Sequence, residues 1–113
     1  MDSVAGYDER IIMSNVYIIQ DNPYSPKNFL PAAEYGELKV VFENHVPTPH
    51  IEKSFVDMKR KLENLTKADY IVPTGHPALI AAAGLISMDI LGEINLLIWD
   101  HQSSGYYPVK IGG

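Results

Sequence analysis

The segment from Pro77 to Trp99 is the strongest constraint in this chain, because it is almost wholly apolar and long enough to span a bilayer. Asp89 and Glu93 fall inside it, with Gly92 and Asn95 beside them. A carboxylate at mid-bilayer costs about 2.5–3.5 kcal/mol on insertion scales. Two carboxylates and a glycine helix stop predict instead a buried helix, Pro77 to about Leu91, followed by a buried strand, Ile94–Trp99. Residues Met1 to Ile12 lack an apolar stretch and carry Asp2, Asp8 and Glu9, so they do not read as a signal peptide. A cytoplasmic setting is therefore expected.

Those two elements define the period of the rest. Val16–Ile19 is a second continuous apolar run, β-branched and bounded by Asn15 and by Gln20-Asp21-Asn22-Pro23, which predicts a strand buried on both faces. Pro31-Ala-Ala-Glu-Tyr-Gly36 reads as a short helical turn. Strands are predicted over Leu38–Phe42, Tyr70–Val72 and, on an exposed edge, Tyr106–Ile111. Thr48-Pro49 suits the cap and first turn of a helix whose stripe is Ile51, Phe55, Met58, Leu62 and Leu65. Asp57 and Lys61 stand four apart in the favourable order.

The element order is then β-turn-β-α-β-α-β-β. Strand–helix–strand units build a parallel sheet, while the six-residue link before the last strand requires an antiparallel hairpin. The expectation is a two- or three-layer α/β domain over residues 13–113, with a mostly parallel sheet of about five strands, the order 2-1-3-4-5 (a minimal flavodoxin-like arrangement) being favoured over a mixed sheet with the first strand at an edge. Residues 1–12 read as an N-terminal extension or arm.

Composition narrows the chemistry. The 113 residues include no cysteine, which excludes disulfides, thiolate metal sites and cysteine nucleophiles. The net charge is −5, so nucleic acid and anionic membranes are not expected partners. Lys53, Arg60 and Lys67 recur every seven residues, but Asp57, Glu52 and Glu63 accompany them, and a solvated helix face accounts for the pattern.

Strand order 2-1-3-4-5 would put a topological switch between the first and third strands, where open α/β sheets bind ligands beyond the strand carboxyl ends. Asp21, Asn22, Thr74, Gly75 and His76 would meet there, with Asp100 and His101 one or two strands away. Thr74-Gly75-His76-Pro77 allows two readings. A glycine and free first-turn amides would accept a phosphate or carboxylate, as in a nucleotide or other small anionic metabolite. Alternatively, Gly75 makes a tight corner and His76 or Thr74 caps the helix. The phosphate-loop and dinucleotide glycine motifs are absent. No histidine pair has helical metal-ligand spacing, so no metal or cofactor is assigned. Asp100, His101 and Ser103 are too close in one loop to form a catalytic triad, and turn chemistry explains them.

The second helix is apolar nearly all round, broken by Ser87 and Asp89. One sheet covers one helix face. The surplus points to a homo-oligomer or another protein partner, and hence to a non-enzymatic binding protein ahead of a hydrolase or lyase.

The blocks Pro31–Glu37 (PAAEYGE), Asp69–Ile80 (DYIVPTGHPALI), Leu96–Gln102 (LLIWDHQ) and Tyr106–Ile111 (YYPVKI) resemble a type of small orphan protein encoded by tailed phages. In that type a strand ends in a Thr/Ser-Gly-Asp-Pro-like turn before an Ala-rich helix and a Trp-Asp strand. Here His76 replaces the acidic residue, which sets this turn apart. The resemblance implies phage origin and a compact fold, with a structural virion role as one further option. It implies no activity.

Overall fold

The computed structural model describes residues 14–21, 27–44 and 50–113. The expected arm 1–12, Asn22 and the Thr48-Pro49 pair lie outside these residues. The elements are β1 (Asn15–Gln20), a 3-10 segment (Leu30–Tyr35), β2 (Glu37–Phe42), α1 (Ile51–Lys61), β3 (Tyr70–Val72), α2 (Pro77–Leu91), β4 (Glu93–Asp100) and β5 (Gly105–Gly112).

The five strands form one mixed sheet in the order β2-β1-β3-β4-β5. β1 runs parallel to β2, with Ile18 opposite Val40, and parallel to β3, with Ile18 opposite Val72. β3 is parallel to β4 at Ile71 and Leu96. The longest ladder is the antiparallel one, from Glu93 opposite Gly112 to Asp100 opposite Gly105. The expectation of a mostly parallel sheet is thus met only in part. The two parallel strands at the centre are short, and the hairpin carries much of the pairing.

Crossover handedness explains the layers. The chain steps one way from β1 to β2 and the other way from β2 to β3 and β3 to β4. Right-handed connections therefore leave on opposite faces. The 3-10 segment indeed packs Phe29, Ala32 and Tyr35 against Val16, Ile18, Val72 and Leu97. Both α-helices lie on the other face, where Met58, Leu62, Leu79, Ala83 and Ile86 meet Tyr17, Ile19, Val41 and Ile71.

α1 stops earlier than its apolar stripe. Lys61 is its last residue, and the Leu62 and Glu63 amides bond the Met58 and Arg60 carbonyls as the chain turns out. Leu62 and Leu65 remain buried, supplied by the turn rather than by the helix. Lys67 therefore cannot extend a helical stripe with Lys53 and Arg60. Its ammonium lies 3.9 Å from Glu93 instead. Asp57 pairs with Lys61 at 3.3 Å and with Arg60.

A buried carboxylate joins the amino ends of the central strands. Asp69 accepts the Asn15 amide at 2.8 Å, the Thr66 amide at 2.8 Å and the Thr66 hydroxyl at 3.1 Å. Burial, and secondarily the Asp69 charge, push the neighbouring Tyr17 hydroxyl above its usual pKa. On the open edge, β5 carries Pro108 and Lys110.

Candidate functional site

The switch between β1 and β3 forms as expected, but a glutamine fills it. Gln20 ends β1 with its side chain buried. Its Nε2 donates to the Asn44 carbonyl at 2.9 Å, and its Oε1 accepts the His76 amide at 2.8 Å. One side chain thus ties the ends of β1 and β3 to the loop after β2. Gly75 lies against it with φ +111°, and a Cβ there would stand 2.6 Å from Gln20 Oε1. The glycine is needed both for its backbone conformation and for the close approach.

His76 caps α2 in extended conformation, its Nδ1 accepting the Ala78 amide at 3.0 Å. The Leu79 and Ile80 amides bond the His76 carbonyl. Thr74 donates its amide to Val72 at 2.9 Å, closing the turn. The first-turn amides that would receive an anion are accordingly engaged within the protein, by Gln20, by the His76 ring and by the His76 carbonyl.

Of the residues expected at this rim, Asp21, Thr74, Gly75 and His76 share the ends of β1 and β3. Asp21 donates its amide to Phe42. Asp100 ends β4, two strands from β1, and is turned into its own hairpin. Its carboxylate accepts the Ser103 hydroxyl at 2.9 Å and the Gln102 amide at 3.1 Å. These bonds, Ser103 first, hold its pKa below the usual carboxylate range. His101 Nδ1 accepts the Trp99 indole N–H at 3.1 Å, so Asp100, His101 and Ser103 form no proton relay. Among the described residues no three His, Asp or Glu side chains converge as metal ligands would.

Sequence reasoning overlooked Gln20, which looked like the start of a turn. Its only signal is a long amide side chain at the end of an apolar strand, packed on a glycine that follows two strands later.

A different surface has more capacity for a partner. α2 buries Leu79, Ala83, Ile86 and Ser87, and Ser87 Oγ donates to the Glu93 carbonyl at 2.7 Å. The opposite side of α2 carries Ala81, Gly84, Leu85 and Met88, spaced as one stripe. Leu85 is 63 % exposed and Met88 42 %. The same face of the hairpin pairs Ile94 with Ile111, Leu96 with Val109, and Ile98 with Tyr107. Ile111 is 50 % exposed and Tyr107 46 %.

Between helix and hairpin lies a groove of about 450 Å³, floored by Ile71, Gly84, Ile94 and Leu96 and edged by Leu85 and Met88. None of its described lining residues is charged. Gly84 sets its depth, since a Cβ there would reach 3.4 Å from Ile94 Cδ1. On the far side of Leu85 a second groove of about 600 Å³ runs between α1 and α2, where Phe55 and Ile90 are rimmed by Lys59, Arg60, Glu63 and Asp89. Leu85 is the ridge between the two. Among the described residues no helix is long and apolar enough to cross a membrane.

Comparison with curated proteins and with solved structures returns no match. Residues 14–112 match the phage Pam3 gp32-like protein family, which spans every element described above. The chain belongs to that family of phage proteins, as the blocks around Pro31, Asp69 and Leu96 suggested.

Proposed function

We propose that this phage protein is a small non-enzymatic interaction module, working in the host cytoplasm, whose occupant at the α2–hairpin face is a second copy of itself. The observation that carries the reading is Leu85, a large apolar ridge left largely in water between two grooves. An isologous contact needs a self-complementary patch. Here a ridge adjoins an uncharged groove on one face, so each copy's Leu85 and Met88 can enter the groove of the other. Fully burying a leucine is worth about 2 kcal/mol, and two-fold symmetry counts each contribution twice.

Sedimentation equilibrium tests this directly. The protein is expected as a dimer at micromolar concentration, and Leu85→Glu as a folded monomer with unchanged far-ultraviolet circular dichroism. A wild-type chain that stays monomeric at about 100 µM, where even weak self-association of Kd ~10 µM would show, defeats the reading.

A further inference from the structure

The face of the sheet opposite the helices holds a smaller cavity of about 220 Å³ at the carboxyl ends of β3 and β4, lined among others by Lys27, Phe29, Thr74, Leu97, Trp99 and Tyr106. It opens on the sheet face away from the proposed dimer groove, with which it shares Pro73 at the end of β3.

Three features give this cavity the character of a ring-binding site. Its aromatic walls are set in advance. Trp99 and Tyr106 are cross-strand partners whose rings meet edge to face, with centroids 5.2 Å apart at 70°. The Trp99 indole N–H is held by His101, and the Tyr106 carbonyl accepts the Tyr35 hydroxyl at 3.0 Å. An indole held by such a bond, against a partner ring on an anchored strand, loses little freedom when a ligand enters. Second, Lys27 is the one charged residue among the described lining residues, which also include the polar Thr74. Third, the volume is below the range of about 300–1,000 Å³ that suits drug-sized ligands and cofactors. It fits one ring and one small substituent.

We infer that this cavity binds a planar monocyclic ring carrying an anionic group, with the ring between Phe29, Trp99 and Tyr106 and the anion at Lys27. An aromatic carboxylate and a pyrimidine mononucleotide share that chemistry. In the second case the ring alone would be enclosed, leaving sugar and phosphate at the mouth.

Trp99 is the only tryptophan of the chain, so its fluorescence reports on the site directly. The intact protein is titrated with benzoate, uridine monophosphate, uridine, benzyl alcohol and inorganic phosphate, with excitation at the red edge of the tryptophan band and calorimetry in parallel. Saturable binding is expected for benzoate or uridine monophosphate, and which of the two binds identifies the source of the anion. The neutral rings and phosphate alone should bind at least about tenfold more weakly, the usual measure of one lost charge-assisted contact. Lys27→Met should remove that preference while leaving the fold and the neutral-ring affinity unchanged. Equal binding of neutral and anionic rings, an unaltered preference in Lys27→Met, or no saturable binding of any probe at millimolar concentration would each overturn the assignment.

Discussion

β1 and β4 look alike in sequence, both being predominantly apolar runs, yet they end in different environments. From Val16 to Gln20 every residue of β1 is buried. In β4 only alternate residues are, Glu93, Asn95 and Leu97, while Ile94, Leu96 and Ile98 stay half open on the helix side. The cause is the connection that follows each strand. β2 and β3 are followed by crossovers whose helices lie over the central strands, whereas β4 returns through a hairpin and brings no helix with it. A hairpin in place of a crossover leaves half a sheet face uncovered, and α2 stands at its border with a stripe of its own to cover.

The largest expected effect separates these halves outright. Ile18→Ala, in the covered half, should cost about 3–4 kcal/mol in urea unfolding, whereas Ile111→Ala should cost below about 1 kcal/mol for the isolated chain. Comparable losses would mean that coverage does not distinguish the strands. A loss at Ile111 that grows with protein concentration would place that residue in a subunit contact.

Two glycines sharpen the comparison. Gly75 has φ +111° and lies against Gln20, so Gly75→Ala should destabilise by about 2–3 kcal/mol. Part of the loss should vanish when Gln20→Gly makes room, a coupling visible in a double-mutant cycle. Gly84 has ordinary helical geometry and space at 3.4 Å from Ile94. Gly84→Ala should therefore be neutral or stabilise by up to about 1 kcal/mol, the difference in helix propensity. If both substitutions had the same sign and size, the contrast between a packed rim and an open groove would fail.

The smallest effect concerns pH. Glu93, buried at the start of β4, accepts the Asn95 amide nitrogen at 2.8 Å and lies 3.9 Å from both Lys67 and Lys110. The Asn95 bond first, then the two ammonium groups, hold its pKa below the usual carboxylate value. The unfolded chain thus takes up this proton at higher pH than the folded one. The stabilisation is complete above the ordinary glutamate range and is lost as pH falls through the depressed folded value. The acid side of a stability-versus-pH curve should be shallower in Glu93→Gln. An unchanged slope would show that Glu93 does not contribute.

The strand order was legible because apolar runs, a short final link and handedness leave few topologies. Asp57 with Lys61, the Gly92 helix stop and the phage character were legible for similar local reasons. What escaped was set by side chains meeting across elements. Asp69 reads as a polar residue before a strand, yet it bridges Asn15 and Thr66. Leu62 and Leu65 keep helical spacing although the helix has ended, since burial selects residues without regard to the backbone that presents them. Gln20 shows the same limit. Its two partners, Asn44 and His76, become neighbours only once three strand ends have been assembled.

Pro108 and Lys110 on β5 have a final consequence. A strand that lacks a main-chain donor and carries a cation is a poor template for another chain to extend. Open-ended growth into fibrils through that margin of the sheet is thereby discouraged.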